Sequence, residues 1–430
     1  MSKNTFYFFA DLSIDLAVMY GLATLIRNLK PGARLELICS LDKRIESYDI
    51  SSLIEVYDRV HHIGAASFYS YGNWRKGLTA RNIYSAISKT FPDARRTYEH
   101  LQKINFVPNS VAFVHGAHNI TQWLFLKRIK SAPKVKSVFF LSADSPYDNN
   151  LFKSDWFINR SQSVYLNIHM HFFGTAYLDV HWIKTPDSIV TNHRHFVLRD
   201  KPADFVFWPV FPLRFKTLQS DQIYLPLPFV NKPSNQSQYD TVLFVGGKYH
   251  FLQGLPRESE TIFFKRLNTI IKLIKKKHPG QRLVYKSHPS QNENDLRKMD
   301  LVGFEIESYA SSEAIFINDS SLRTVYSVFS TSVQAAASMG IQSFYLYNLF
   351  DLDELSLPKT VQRHWNDRCT SEIHPEMNIK SIDDWMNGKN DYEPQDVKEK
   401  VYSSIVRMLE ETGVVDFSPV MDVANKSFFT

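Results

Sequence analysis

The chain has 430 residues, more than one hydrophobic core usually supports, so its length predicts two domains. Hydrophobic residues make up 44% and aromatics 14%, which excludes a disordered chain, and two cysteines, Cys39 and Cys369, exclude a disulfide framework and suit a reducing, cytoplasmic setting. The formal net charge of +6 is mild, and it gathers in "LKRIKSAPKVK" and in "KRLNTIIKLIKKKHPGQR", the latter with seven Lys and Arg in 18 residues. Such runs suit a solvated helix face or an anionic partner. No zinc finger or aromatic RNA-binding signature accompanies them, so nucleic acid is not expected as a partner.

The opening segment is interrupted by Asp11 and Asp15, so it reads as a strand (Thr5–Ala10) running into a helix from about Ile14 to Leu29, not as a signal peptide. No window reaches ~18 uncharged apolar residues, so no membrane span is expected. Further along, "ARLELICSL" reads as a strand, "LIEVYDRVHHIG" as another strand with a loop, and "TARNIYSAISKTFPDARRTYEHLQKI" as helix with a proline break. "SVAFVHGAHN" is a strand with a polar tip, "ITQWLFLKRIKSA" a helix, and "VKSVFFLSADSPYDNN" a strand with an acidic tip. Strands alternating with helices predict a parallel sheet with helices on both faces.

Residues 225–240, "LPLPFVNKPSNQSQYD", have linker composition. The pattern then restarts with "TVLFVGGKYH", a helix over 259–278, a strand over 282–286, "VGFEIE" and "AIFIND" as strands, and a strand from Arg323 to Phe329 leading into a helix. Residues 392–412 form an amphipathic helix expected to pack back on the body. The expected architecture is therefore α/β, two Rossmann-like domains facing across a cleft, over 1–225 and 240–390, with a tail of 391–430. Ligands in such sheets bind outside the carboxyl ends of the strands, where every polar tip named here falls.

Several tips carry chemistry. Gly246 and Gly247 follow a strand, as in a tight turn or a phosphate loop, but the pattern is not GxGxxG and gives no dinucleotide site. "KSHP" (Lys286, Ser287, His288, Pro289) ends the next strand, where an imidazole and an ammonium suit a phosphate. The same dipeptide recurs at His278–Pro279 and in "EIHPEM", so its placement at a strand tip is what singles out 288–289. "VYSVFSTSVQAAASMG" is a strand, then Ser330, Thr331 and Ser332, then a helix; the hydroxyls fit a plain N-cap or an anion site.

These two segments together resemble the HP and SS motifs of bacterial sialyltransferases and polysialyltransferases, and the stretch around "VYSVFS" is similar to capsule-synthesis Kdo transferases. The resemblance covers part of the C-terminal domain. It implies a GT-B fold, with that domain holding the nucleotide and the N-terminal domain holding the acceptor. It implies a CMP-activated acidic sugar (sialic acid, another nonulosonic acid or Kdo) as donor, a cell-surface glycan or glycolipid such as lipopolysaccharide or capsule polysaccharide as acceptor, and no cofactor or metal. It further implies that His288 and one or more of Ser330, Thr331 and Ser332 contact the CMP phosphate. The Asp/Glu-Asp/Glu-Gly motif of those families is absent here. Candidates for the base are Asp144 (with Asp148 four residues on), His115 with its neighbour His118, and Asp11. His169 and His171 lack a third metal ligand and read as a strand edge, and Asp351–Asp353 is too short a match for a metal motif. The alternatives are a CDP-glycerol or CDP-ribitol polyol-phosphate transferase, and a non-catalytic glycan-binding or scaffold protein. Peripheral contact with the inner face of an anionic membrane is expected from the basic runs.

Overall fold

The computed structural model describes residues 5–11, 13–40, 54–64, 80–85, 88–89, 91–115, 120–132, 134–140, 180–183, 195–198, 205–209, 222–223, 240–247, 249, 252, 256–288, 291, 293–308, 311–330, 332–357, 362 and 375–411. The chain divides into two compact units, Met1–Leu225 with Ser404–Thr430, and Pro226–Ser403.

The first unit begins with β1 (Thr5–Ala10), α1 (Ser13–Leu29), β2 (Arg34–Cys39) and β3 (Arg59–His62). It continues with α2 (Ala80–Ser85), α3 (Phe91–Gln102), β4 (Val111–His115), α4 (Ile120–Ser131) and β5 (Lys136–Phe140). β6 (Val180–Ile183) and β7 (His195–Leu198) pair antiparallel with each other, while β8 (Phe205–Pro209) and β9 (Gln222–Ile223) extend the main sheet. That sheet runs β3-β2-β1-β4-β5-β8-β9, every pairing parallel. β1 is buried along its whole length, as a central parallel strand must be when helices cover both faces. Phe6 and Phe8 stack on Phe113, whereas Tyr7 and Phe9 meet Phe106 and Phe125 on the other face. α1 buries Leu16, Met19, Leu22, Ala23 and Ile26, the stripe a 3.6-residue period brings together.

The second unit repeats the plan. β10 (Thr241–Val245), α5 (Arg257–Lys277), β11 (Arg282–Lys286), α6 (Glu293–Arg297), β12 (Glu305–Glu307), α7 (Ser312–Asn318), β13 (Leu322–Ser327), α8 (Ser332–Ser338) and β14 (Gln342–Tyr345) give the sheet β12-β11-β10-β13-β14. All four of its pairings are parallel. α9 (Ile382–Met386) follows, and α10 (Pro394–Glu411) begins in the second unit and ends in the first. Within each unit the first five strands run 3-2-1-4-5, the order of a Rossmann sheet. Two Rossmann-like α/β units are the makeup of a GT-B fold, the class expected from the sequence.

Two element assignments are corrected. "AIFIND" lies largely in α7 rather than in a strand: the Ser311 hydroxyl accepts from the Ala314 N–H at 3.0 Å and caps the helix, and Ala314 and Phe316 are buried. Of "LIEVYDRVHHIG" only Arg59–His62 is strand, because Ile54–Tyr57 turn back and the Tyr57 N–H bonds to the Ile54 carbonyl. Residues 225–239 of the linker sequence, Asp144 and Asp148, His118, and the His169 and His171 pair fall outside the described residues, as do Pro289 and Thr331.

Candidate functional site

In each unit the strand order reverses beside the first strand, between β1 and β4 and between β10 and β13. In open α/β sheets such a reversal at the carboxyl ends of the strands is where ligands bind. In the second unit, register places Val245 opposite both Lys286 and Ser327. Gly246–Gly247, Ser287–His288 and Val328–Ser330 therefore leave the sheet side by side, on three adjacent strands.

The KSHP tip is held from beneath. The Gly246 N–H donates to the Lys286 carbonyl at 2.8 Å, and the Ser287 N–H donates to Glu307 on β12 at 3.1 Å. Gln291 clamps the turn: its N–H donates to the His288 carbonyl at 2.8 Å, and its side-chain oxygen accepts from the His288 N–H at 3.3 Å and from the Tyr285 hydroxyl at 2.8 Å. Lys286 is 2% exposed and its ammonium donates to the Ser287 carbonyl at 2.6 Å. Burial lowers its pKa, with the Glu307 and Glu313 carboxylates acting in the opposite sense. Burial likewise raises the Glu313 carboxyl, against the pull of Lys286. Lys286 thus stands inside the tip. The His288 side chain is half-buried at its surface.

The serine segment is tied to the same strands. The Ser327 hydroxyl donates to the Val245 carbonyl at 2.8 Å and accepts from the Ser330 N–H at 3.1 Å. The Ser330 hydroxyl accepts from the Ser332 N–H at 3.3 Å and lies 3.1 Å from the Ser332 hydroxyl. Ser327 is fully buried, while Ser330 and Ser332 are half-buried. Among the described motif residues, burial therefore separates Lys286, Ser287 and Ser327, which shape the edge, from His288, Ser330 and Ser332, which reach solvent.

The two glycines have a packing reason of their own. A Cβ on Gly246 would stand 2.3 Å from the Tyr285 hydroxyl, and one on Gly247 would stand 2.7 Å from the Phe329 ring. Tyr285 is fixed by Gln291, and Phe329 packs edge-on to Tyr249 in a cluster with Phe263, Phe264 and Phe350. Neither ring can retreat cheaply from a close-packed interior.

In the first unit, Asp11 follows β1 and the backbone of His115 ends β4, the two strands that flank the reversal. Asp11 and Asp15 are both 2% exposed. The Asp15 carboxylate, in the first turn of α1, accepts from the Asp11 N–H at 3.3 Å and from the Gln122 amide at 3.5 Å. Burial, followed by the charges of Asp11 and Asp15, pushes the Cys39 thiol well above its usual range. Sequence reasoning singled out Asp11 alone. Asp15 and Gln122 lie within helices, and only the packing of α1 and α4 onto the sheet brings them to the same end. Among the described residues no group of His, Cys, Asp and Glu is placed to hold a metal ion.

No family model matches the chain, and no curated protein matches it. Solved structures do. The UDP-GlcNAc 2-epimerase of Methanocaldococcus jannaschii is 11% identical over 95% of this chain and 100% of its own, with a TM-score of 0.44. UGT71G1 of Medicago truncatula, complexed with UDP-glucose, is 12% identical over 100% and 99%, with a TM-score of 0.43. UGT89C1 of Arabidopsis thaliana, complexed with UDP, is 9% identical over 96% and 100%, again with a TM-score of 0.43. Likeness at this level says nothing about what this chain binds.

Proposed function

We propose that the protein is a glycosyltransferase that binds a nucleotide-activated sugar on its second unit and transfers the sugar to a glycan or glycolipid acceptor. The observation that carries this reading is the placement of His288, Ser330 and Ser332, half-buried polar residues of the two motifs, just past the carboxyl ends of β11 and β13 on either side of β10. Donors fixed in that way can stabilise the charge that builds on a phosphate as the nucleotide leaves. The bond that breaks joins the anomeric carbon to the phosphate oxygen, and the bond that forms joins that carbon to the acceptor oxygen. The acceptor proton goes to a general base, for which Asp144, His115 and Asp11 are the candidates. Lys286 positions the tip through the Ser287 carbonyl.

The resemblance of KSHP and the serine segment favours CMP as the nucleotide and an acidic sugar as the cargo, on the cytoplasmic face of the membrane. Three lysines of α5, Lys265, Lys272 and Lys276, are exposed along one stripe and have no side-chain partner among the described residues, which supports peripheral contact with anionic lipid. Among the described residues no helix is long and apolar enough to cross a membrane.

Calorimetric titration of CMP, CDP and UDP into the wild type and His288→Ala tests the reading. Preferential CMP binding that the substitution weakens about tenfold or more supports it. Preference for UDP moves the donor class, preference for CDP moves it toward a polyol-phosphate transferase, and absence of nucleotide binding removes the proposal.

A further inference from the structure

Along the edge strand β3 the first unit has a cavity of about 520 Å³, lined by β2 and β3 on one side and by the end of α3 and the chain that follows it on the other. Its floor holds Glu36 of β2, only 3% exposed. The Arg34 guanidinium donates to one of its oxygens at 2.6 Å, and the His61 imidazole lies 2.7 Å from the other. The carboxylate of the cavity is thereby engaged at both oxygens. What remains is basic. Arg59 and His62 come from β3, His100 from the last turn of α3 and Lys103 from just past its end. All four are exposed, and none has a side-chain partner among the described residues.

Ordinary causes account for these groups one pair at a time. Basic residues at the end of α3 complement the helix dipole, and a charged residue on β3 protects a sheet edge. Neither cause gathers residues of both elements along one cavity beside a carboxylate that Arg34 already engages. Arg59 and Lys103, two cations with no carboxylate partner among the described residues, gain a counter-charge when an anion joins them. The volume is that of a small-molecule site, and buried Ile63 and Ile104 give it an apolar wall.

We propose that this cavity binds a phosphate-bearing small molecule, with Arg59 and Lys103 as its charge partners, at a site separate from the nucleotide site of the second unit. A phosphate offers several oxygens and so takes donors from both walls at once. The proposal stands independently of the glycosyltransferase reading.

The test is hydrogen-exchange mass spectrometry of the full chain with inorganic pyrophosphate, paired with calorimetry. We expect protection in the peptides covering residues 59–63 and 98–107. We expect affinity to fall about tenfold in each of Arg59→Gln and Lys103→Gln, each the loss of one charged hydrogen-bond donor. Both residues are exposed, and Lys103→Gln alone, just past the end of α3, leaves the core untouched. Protection that survives both substitutions unchanged, protection confined to residues 285–291 and 327–333, or no pyrophosphate binding at all would each overturn the assignment.

Discussion

At the scale of single residues, the glycines after β10 and the histidine before β11 make opposite demands. Gly246→Ala drives a methyl into the Tyr285 hydroxyl, and Gly247→Ala drives one into Phe329. Each is expected to destabilise the fold by about 1–3 kcal/mol, the range for overpacking. Chemical denaturation checks this: the midpoint should fall while the slope stays the same, and wild-type midpoints for both variants would remove the packing account. His278 acts through protonation. Its imidazole is 9% exposed and lies 2.9 Å from the Tyr326 hydroxyl, to which the Trp385 indole N–H also donates at 3.4 Å. Burial pulls its pKa from 6.5 down to about 4, with the neighbouring Lys277 adding to the fall and Gln281 and Asp391 opposing it. The unfolded chain therefore takes up a proton before the folded one does. The stability this group contributes is complete above about pH 6.5 and is lost as pH falls toward 4, by roughly 3 kcal/mol at the bottom of that window. Melts between pH 7 and 4 should show this slope in the wild type and a flatter one in His278→Gln; equal slopes would falsify the assignment. In the sequence, His278–Pro279 and His288–Pro289 look alike. Only burial tells the structural imidazole from the one at the candidate site.

At the scale of elements, α5 carries two kinds of lysine. Lys277 donates to the Trp385 carbonyl at 2.7 Å and Lys275 to the Asp300 carbonyl at 3.1 Å, so part of the basic run ties the helix to its own unit. Lys265, Lys272 and Lys276 face outward. Replacing those three with glutamine is expected to abolish flotation with phosphatidylserine vesicles at low salt, at about 1 kcal/mol of membrane affinity for each charge. Flotation that is equally strong in the triple variant would place any membrane contact elsewhere. The elements themselves were largely legible in the sequence. Buried parallel strands such as "TFYFFA" and "TVLFV" are continuous apolar runs, and α5 shows a clear helical stripe through Phe263, Leu267, Ile270 and Ile274. α7 was misread because Ile315, Phe316 and Ile317 are β-formers in a short window. The serine that caps it stood in plain sight and outweighs that propensity, because capping joins with burial of Ala314 and Phe316.

At the scale of the whole molecule, the repeated strand order is what makes the candidate residues meaningful. Gly246, His288 and Ser330 are 84 residues apart at most, yet register brings their strands to one edge. The alternation of strand and helix predicted that edge. The sequence does not reveal which polar residues there stay in solvent, since that depends on burial by elements far along the chain. Gln291, Glu313 and Gln122 became visible for the same reason only in three dimensions. If the second unit holds the nucleotide, residues 226–403 expressed alone should bind it with an affinity within about tenfold of the full chain. A titration showing no binding by the folded fragment would mean that groups from the first unit complete the site.

The way the chain divides has a consequence for its synthesis. The second unit is one uninterrupted stretch, whereas the first is assembled from two stretches that flank it in the chain. On the ribosome, all the strands of the second unit emerge before the segment from Ser404 onward that the first unit includes. The second unit can therefore close upon itself while the first still awaits the segment from Ser404. A chain stopped shortly before Ser404 would hold a folded second unit and a first unit lacking a segment it includes, so that segment acts as a checkpoint on the folding of the first unit.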